Sequence, residues 1–199
     1  NRLAELDPKS GAMREYAVPG TGAAGIMGTA LDQQGRIWYA ASGRSTIGFF
    51  DPASGRFTEF ATPNPASSPT GLALDVAGNV WFTELAAGAI GELNVRTSAV
   101  RSFPIPTEGS APYWLALDAR GTVWFTAFGK DKIGALDPSS GQVREWALAN
   151  AKSYPAGITL GPDGTVWFSE SGASAVGRLT PASGSLDEYS LPRATHPYG

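Results

Sequence analysis

The stretch Gly78-Asn79-Val80-Trp81-Phe82-Thr83-Glu84 decides the fold, because the chain writes it four times. It returns as Gly35-Arg36-Ile37-Trp38-Tyr39-Ala40-Ala41, as Gly121-Thr122-Val123-Trp124-Phe125-Thr126-Ala127 and as Gly164-Thr165-Val166-Trp167-Phe168-Ser169-Glu170. The tryptophans stand at 38, 81, 124 and 167, a constant step of 43 residues. A second marker keeps the same step: Ile47-Gly48, Ile90-Gly91, Ile133-Gly134 and Val176-Gly177. A repeat of this length, built of short strands, reads as one propeller blade.

Outward from that stretch, each unit reads as four strands. In the second unit, Gly71-Leu72-Ala73-Leu74-Asp75 is an apolar run closed by a turn at Val76-Ala77-Gly78-Asn79. Val80-Trp81-Phe82-Thr83 is β-branched and aromatic and forms a second strand. A small-residue loop over 85–88 leads to a third strand, Ala89-Ile90-Gly91-Glu92-Leu93. A turn at Thr97-Ser98, which is Ser-Gly in the other units, leads to a fourth, Val100-Arg101-Ser102-Phe103. Pro104 and Pro106 stop it, since proline cannot continue a ladder. No segment shows a 3.6-residue apolar period, so no helix is expected. The fold class is therefore all-β: a propeller of four-stranded antiparallel blades in one domain over 1–199. Its repeat units span 24–66, 67–109, 110–152 and 153–195, and a half blade spans 1–19.

The half blade matches only the third and fourth strands of a unit. At the other end, His196-Pro197-Tyr198-Gly199 matches the lead-in Ser68-Pro69-Thr70-Gly71 with one deletion. About four and a half blades are present, and closing a fifth would need about 20 more residues. Two readings follow: an arc of a longer propeller, or a short ring with one incomplete blade.

Composition excludes several functions. The net charge of -3 with no basic cluster argues against nucleic acid and against an anionic membrane surface. With no cysteine there is no disulfide, thiol nucleophile or thiolate metal site, and the compartment stays unnamed. No apolar run approaches the roughly 20 residues of a spanning helix. A Gly-x-Ser-x-Gly elbow, a phosphate loop and His/Cys zinc spacing are all absent.

In a blade the first strand lines the channel and the second runs back. The residue opening strand one and the residue closing strand two then share a face. Positions 70 and 84 form such a pair; the equivalents are Met27 with Ala41, Tyr113 with Ala127, and Ala156 with Glu170. Glu84 and Glu170 thus become candidate catalytic carboxylates at the channel mouth, as hard metal ligands or general bases. The plainer alternative is that they are solvated loop residues. Tyr113 and Trp114 interrupt the usual Pro-x-Gly and either wall an apolar ligand or pack against a neighbouring blade. His196, the sole histidine, lies near the same face and is either a ligand contact or a surface residue. The four repeated tryptophans are expected to pack blade on blade.

The repeats resemble the virginiamycin B lyase (streptogramin lyase) family. The resemblance rests on Ser110-Ala111-Pro112-Tyr113, Ser153-Tyr154-Pro155, Ile158-Thr159-Leu160-Gly161, Trp167-Phe168-Ser169-Glu170, and Ile133-Gly134 with Leu136-Asp137-Pro138. It implies a seven-bladed ring that opens the lactone of a cyclic depsipeptide antibiotic by Mg-dependent elimination. The partner would be a small cyclic peptide, and the protein a monomer if the ring is complete. In the family, catalytic histidines follow the proline opening strand one, and a Glu closes strand two. Glu84 and Glu170 match the Glu position. The histidine slots hold Met27, Thr70, Tyr113, Ala156 and Tyr198. The family's metal-binding carboxylate precedes such a slot by two residues, where this chain has Ser68, Ala111, Tyr154 and His196. Family members carry this machinery in late blades, beyond Gly199 if the chain is an arc of early ones. A non-catalytic propeller binding a protein, peptide or carbohydrate is the second reading. A lactonase-type propeller holding a metal in its channel is a third; it needs more converging Asp, Glu or Asn side chains than are found.

Overall fold

Among the described residues every core cluster lies between two blades, and none lies within one. The computed structural model describes residues 2–192 and 195–198. Asn1 of the half blade, 193–194 of the last repeat unit and Gly199 of the lead-in lie outside them. The half blade is the two-stranded sheet β1 (Arg2–Leu6) and β2 (Met13–Ala17). The first full blade is β3 (Ile26–Leu31), β4 (Ile37–Ala41), β5 (Thr46–Asp51) and β6 (Arg56–Ala61). The second is β7 (Pro69–Leu74), β8 (Val80–Glu84), β9 (Ala89–Asn94) and β10 (Ala99–Pro104). The third is β11 (Pro112–Leu117), β12 (Val123–Ala127), β13 (Lys132–Leu136) and β14 (Val143–Ala147). The fourth is β15 (Pro155–Leu160), β16 (Val166–Glu170), β17 (Ala175–Thr180) and β18 (Ser185–Ser190). Each is an antiparallel meander in chain order.

The strands fall where composition places them. Among the described residues helix is confined to two single 3-10 turns, Ser42–Arg44 and Phe128–Lys130, between the second and third strands of alternate blades. Each ends on a left-handed residue, Ser45 or Asp131, which turns the chain into the third strand. In the second blade Gly88 takes that conformation at φ 63°.

Trp38 packs with Leu72, Val80, Phe82 and Leu93 of the next blade. Trp81 repeats this with Leu115, Val123, Phe125 and Leu136, and Trp124 with Ile158, Val166, Phe168 and Leu179. All three indoles are almost wholly buried, whereas Trp167 of the last blade is only partly so. Each large ring removed from water contributes about 1.5–3 kcal/mol, so the blades stabilise one another chiefly through these junctions.

The Ile-Gly marker has a steric cause. Tyr39, Phe82, Phe125 and Phe168 lie opposite Gly48, Gly91, Gly134 and Gly177 on the neighbouring strand. Each ring folds flat over its glycine. A Cβ there would sit 2.6, 2.1, 2.0 and 2.0 Å from ring carbon.

A second repeated device holds the Trp edge. The Asp32, Asp75 and Asp118 carboxylates accept the indole N–H of Trp38, Trp81 and Trp124 at 2.9, 3.2 and 3.2 Å. They also accept backbone N–H groups of the following turn, such as Arg120 and Thr122 at 2.9 and 3.0 Å on Asp118. In the fourth blade Gly161 replaces the Asp, and Thr165 accepts from Trp167 at 3.0 Å while donating to Asp163 at 2.6 Å. Asp118→Ala strands three donors at once and is expected to cost about 1–3 kcal/mol. A urea midpoint unchanged within error would contradict this.

Candidate functional site

The four inner strands β3, β7, β11 and β15 lie side by side. A β-bulge interrupts each pairing with strand two, between 26 and 29, 69 and 72, 112 and 115, and 155 and 158. The bulge shifts the expected pairing by one residue: Pro69, not Thr70, stands opposite Glu84, and Pro155 opposite Glu170. The extra residue lets adjacent inner strands approach backbone to backbone. A Cβ on Gly28 would lie 2.5 Å from the Thr70 carbonyl, and one on Gly71 2.8 Å from Trp114 Cα.

Hydroxyls that sequence reading missed stitch these bulges together. Thr83 Oγ1 accepts the Gly71 N–H at 2.9 Å and donates to the Tyr113 carbonyl of the next blade at 3.0 Å. Thr126 does the same between Trp114 N–H, at 3.1 Å, and the Ala156 carbonyl, at 2.9 Å. Ser169 accepts from Gly157 at 2.9 Å. The signal was available as a hydroxyl two residues after the Trp in three of the four repeats.

Glu84 and Glu170 close their second strands on the same rim, and neither is a solvated loop residue: both are 0% exposed. By strand alternation Glu84 shares a face with Val80 and Phe82, toward the preceding blade. Neither of its carboxylate oxygens has a hydrogen-bond partner among the described residues. Burial pushes its carboxyl above the usual range, with the nearby Ser102 hydroxyl only moderating the effect. Glu170 is raised by burial first; the charges of Glu188 and Asp131 add to this, while Ser153 and Asn150 oppose it. The Asn150 amide reaches its Oε2 at 3.5 Å, and Oε1 has no partner among the described residues.

The exposed part of the rim is aromatic. Tyr113 lies 6.1 Å from Trp114, 5.6 Å from Phe128 and 5.8 Å, edge-on, from Tyr198. Phe128 stacks on Tyr154 at 5.1 Å. Tyr113 lies in β11 and Tyr198 follows the fourth blade in the chain, so their contact spans that whole blade. Phe128 and Tyr154 were not singled out as binding residues, because only the tertiary fold brings a loop after strand two against the next lead-in. Tyr154 is held with φ 46° just before Pro155, its N–H and that of Lys152 donated to the Asp131 carboxylate at 3.0 and 2.8 Å. Trp114, standing where other blades have glycine, also lines an apolar cavity of about 330 Å³ with Ile158, Trp167 and Val176. His196 Nδ1 donates to the Ser171 carbonyl at 2.9 Å.

The sequence matches the model of the virginiamycin B lyase family over residues 1–199. The chain belongs to the virginiamycin B lyase family. A virginiamycin B lyase structure from Staphylococcus aureus is 32% identical, with a TM-score of 0.83, over 89% of this chain and 60% of that one. A streptogramin B lyase structure is 33% identical, with a TM-score of 0.89, over 98% and 63%. A catalytically inactive Staphylococcus aureus virginiamycin B lyase with quinupristin is 30% identical, with a TM-score of 0.91, over 100% and 66%. The chain thus spans roughly two thirds of the length of these lyases. Among curated proteins, none matches this sequence.

The magnesium ion that membership implies finds no fitting donor set here. Among the described residues no three His, Cys, Asp or Glu side chains converge as a metal group. The two carboxylates at the family's Glu position are sealed inside blade junctions.

Proposed function

We propose that this chain is the substrate-cradling arc of a streptogramin B lyase-type carbon–oxygen lyase acting on a cyclic depsipeptide lactone. The observation that carries this reading is the aromatic rim of Tyr113, Trp114, Phe128, Tyr154 and Tyr198, set where the inner strands open. Flat rings with polar tips suit a macrocycle that is apolar over most of its surface. His196, bonded to the Ser171 carbonyl next to Glu170, is assigned a hydrogen-bond contact to the peptide.

The chemistry is an elimination. A base takes the proton next to a carbonyl, a carbon–carbon double bond forms, and the ester carbon–oxygen bond breaks to release a carboxylate. Glu84 and Glu170 are the carboxyls of this arc assigned to the active rim, and burial raises both above the usual carboxylate range. Mg²⁺ is supplied in the assay because the family resemblance implies it, and no side chain described here is assigned to it.

The test is incubation of the full-length gene product with virginiamycin B and Mg²⁺. Elimination leaves the mass unchanged and hydrolysis adds one water, so chromatography with fragment-ion sequencing is the readout. An intact lactone rejects the lyase reading. Tyr113→Ala is expected to raise KM about tenfold, or ~1.4 kcal/mol, with kcat little changed.

A second reading has a specific observation behind it. Met27, Thr70, Tyr113, Ala156 and Tyr198 fill every slot where the family carries histidine. A propeller that binds a peptide on this face without turning it over fits those residues. Tight binding of the lactone with no linear product would select it.

A further inference from the structure

We propose that the cleft between the third and fourth blades, on the rim opposite the aromatic mouth, binds a ring compound carrying a carboxylate. The cleft encloses about 690 Å³, within the range of small-ligand sites. Its chemistry comes from a cross-strand ion pair that the second and fourth blades carry and the third does not; the first blade has Phe49 opposite Thr58 at this position. Across the third and fourth strands of the second blade, Glu92 stands near Arg101 and the two are ion-paired. At the same ladder position of the fourth blade, Arg178 pairs with Asp187 at 2.7 Å. In the third blade the register sets Arg144 opposite Ala135. Arg144 keeps its cation and has no carboxylate partner among the described residues. Its guanidinium lies over the Trp146 ring at 5.0 Å.

The walls suit a ring. Trp146 stacks on Trp124 at 5.6 Å with 29° between planes, so the indole is held rigid at the cleft. Arg120, 84% exposed, adds a second cation from the turn between β11 and β12, with Asp118 at 3.9 Å its one acid among the described residues. Asp137 also borders the cleft, but its carboxylate is engaged by the Ser139 and Ser140 hydroxyls, each at 2.7 Å. The equivalent cleft between the second and third blades, where Glu92 holds Arg101, encloses only about 290 Å³. An arginine fork beside an indole face matches a carboxylate one bond from a flat or puckered ring. Sugar acids and aromatic acids share that chemistry.

Glucuronate, benzoate and neutral glucose are titrated separately against the 199-residue chain, with tryptophan fluorescence and calorimetry as readouts. Binding by glucuronate selects the sugar-acid source, and binding by benzoate alone the aromatic one. Arg144→Ala is expected to weaken that binding at least tenfold, and Arg101→Ala to leave it unchanged. Ala135→Glu rebuilds the ion pair of the second blade and is expected to abolish binding while the thermal midpoint holds or rises. Equal binding of glucose, equal losses in the two arginine variants, or no binding of either acid would overturn the proposal.

Discussion

Gly134→Ala is expected to destabilise the protein by about 3 kcal/mol, the upper end of what overpacking a core costs. The new methyl would lie 2.0 Å from Phe125 Cζ, and that ring is 0% exposed, so it has nowhere to turn. At about 2–4 °C per kcal/mol for a domain of this size, the thermal midpoint falls by roughly 6–12 °C. A double-mutant cycle isolates the cause. Phe125→Leu alone opens a void and destabilises, yet combined with Gly134→Ala it makes room for the methyl. The two changes should therefore couple favourably by about 1 kcal/mol or more. Simple additivity would show that ring and methyl never meet.

Glu84→Gln is expected to act in the opposite direction, stabilising the fold at neutral pH by about 1–3 kcal/mol. The substitution removes the charge and keeps the shape of a side chain that is 0% exposed and has no partner for either oxygen among the described residues. The sign follows from linkage. Burial raises the carboxyl above its ordinary 4.5, so the folded state holds the proton more tightly than the unfolded chain. Below the ordinary value both states are protonated and the carboxyl carries no penalty. As pH rises through the folded-state value, that advantage is lost and wild type falls behind the variant. Melting curves of the two proteins should converge near pH 4 and separate by pH 7. A constant gap would mean that desolvated charge is not the cause. Glu170→Gln should show the same trend, its carboxyl also being raised. If these carboxyls serve the lyase reaction, the same variants lose turnover as they gain stability, the usual exchange at a strained functional site.

Much of this architecture is legible in one dimension because the repeat is strict. The Trp step, the Ile-Gly step and the prolines mark strands two, three and four, and the structure places them so. The tryptophans were readable as blade-to-blade packing because one ring per unit has no room inside a four-stranded sheet. The candidate site was readable only in part. The bulge after Pro69 and Pro155 leaves no signature in a hydrophobic pattern, so Glu84 was matched one residue away from its true partner. Its burial was also hidden, since a polar residue at a strand end reads as solvated until the preceding blade is laid against it.

By itself, then, the sequence determined the blade, its strand order and the family, because local pattern and a constant step need no knowledge of what lies opposite. Tertiary structure alone decided which side chains meet. Phe128 with Tyr154, Tyr113 with Tyr198, and Arg144 left facing Ala135 come from different strands or different blades. Contacts between elements depend on how twisted sheets close around an axis. That geometry is set by bulges and ring packing rather than by any spacing along the chain.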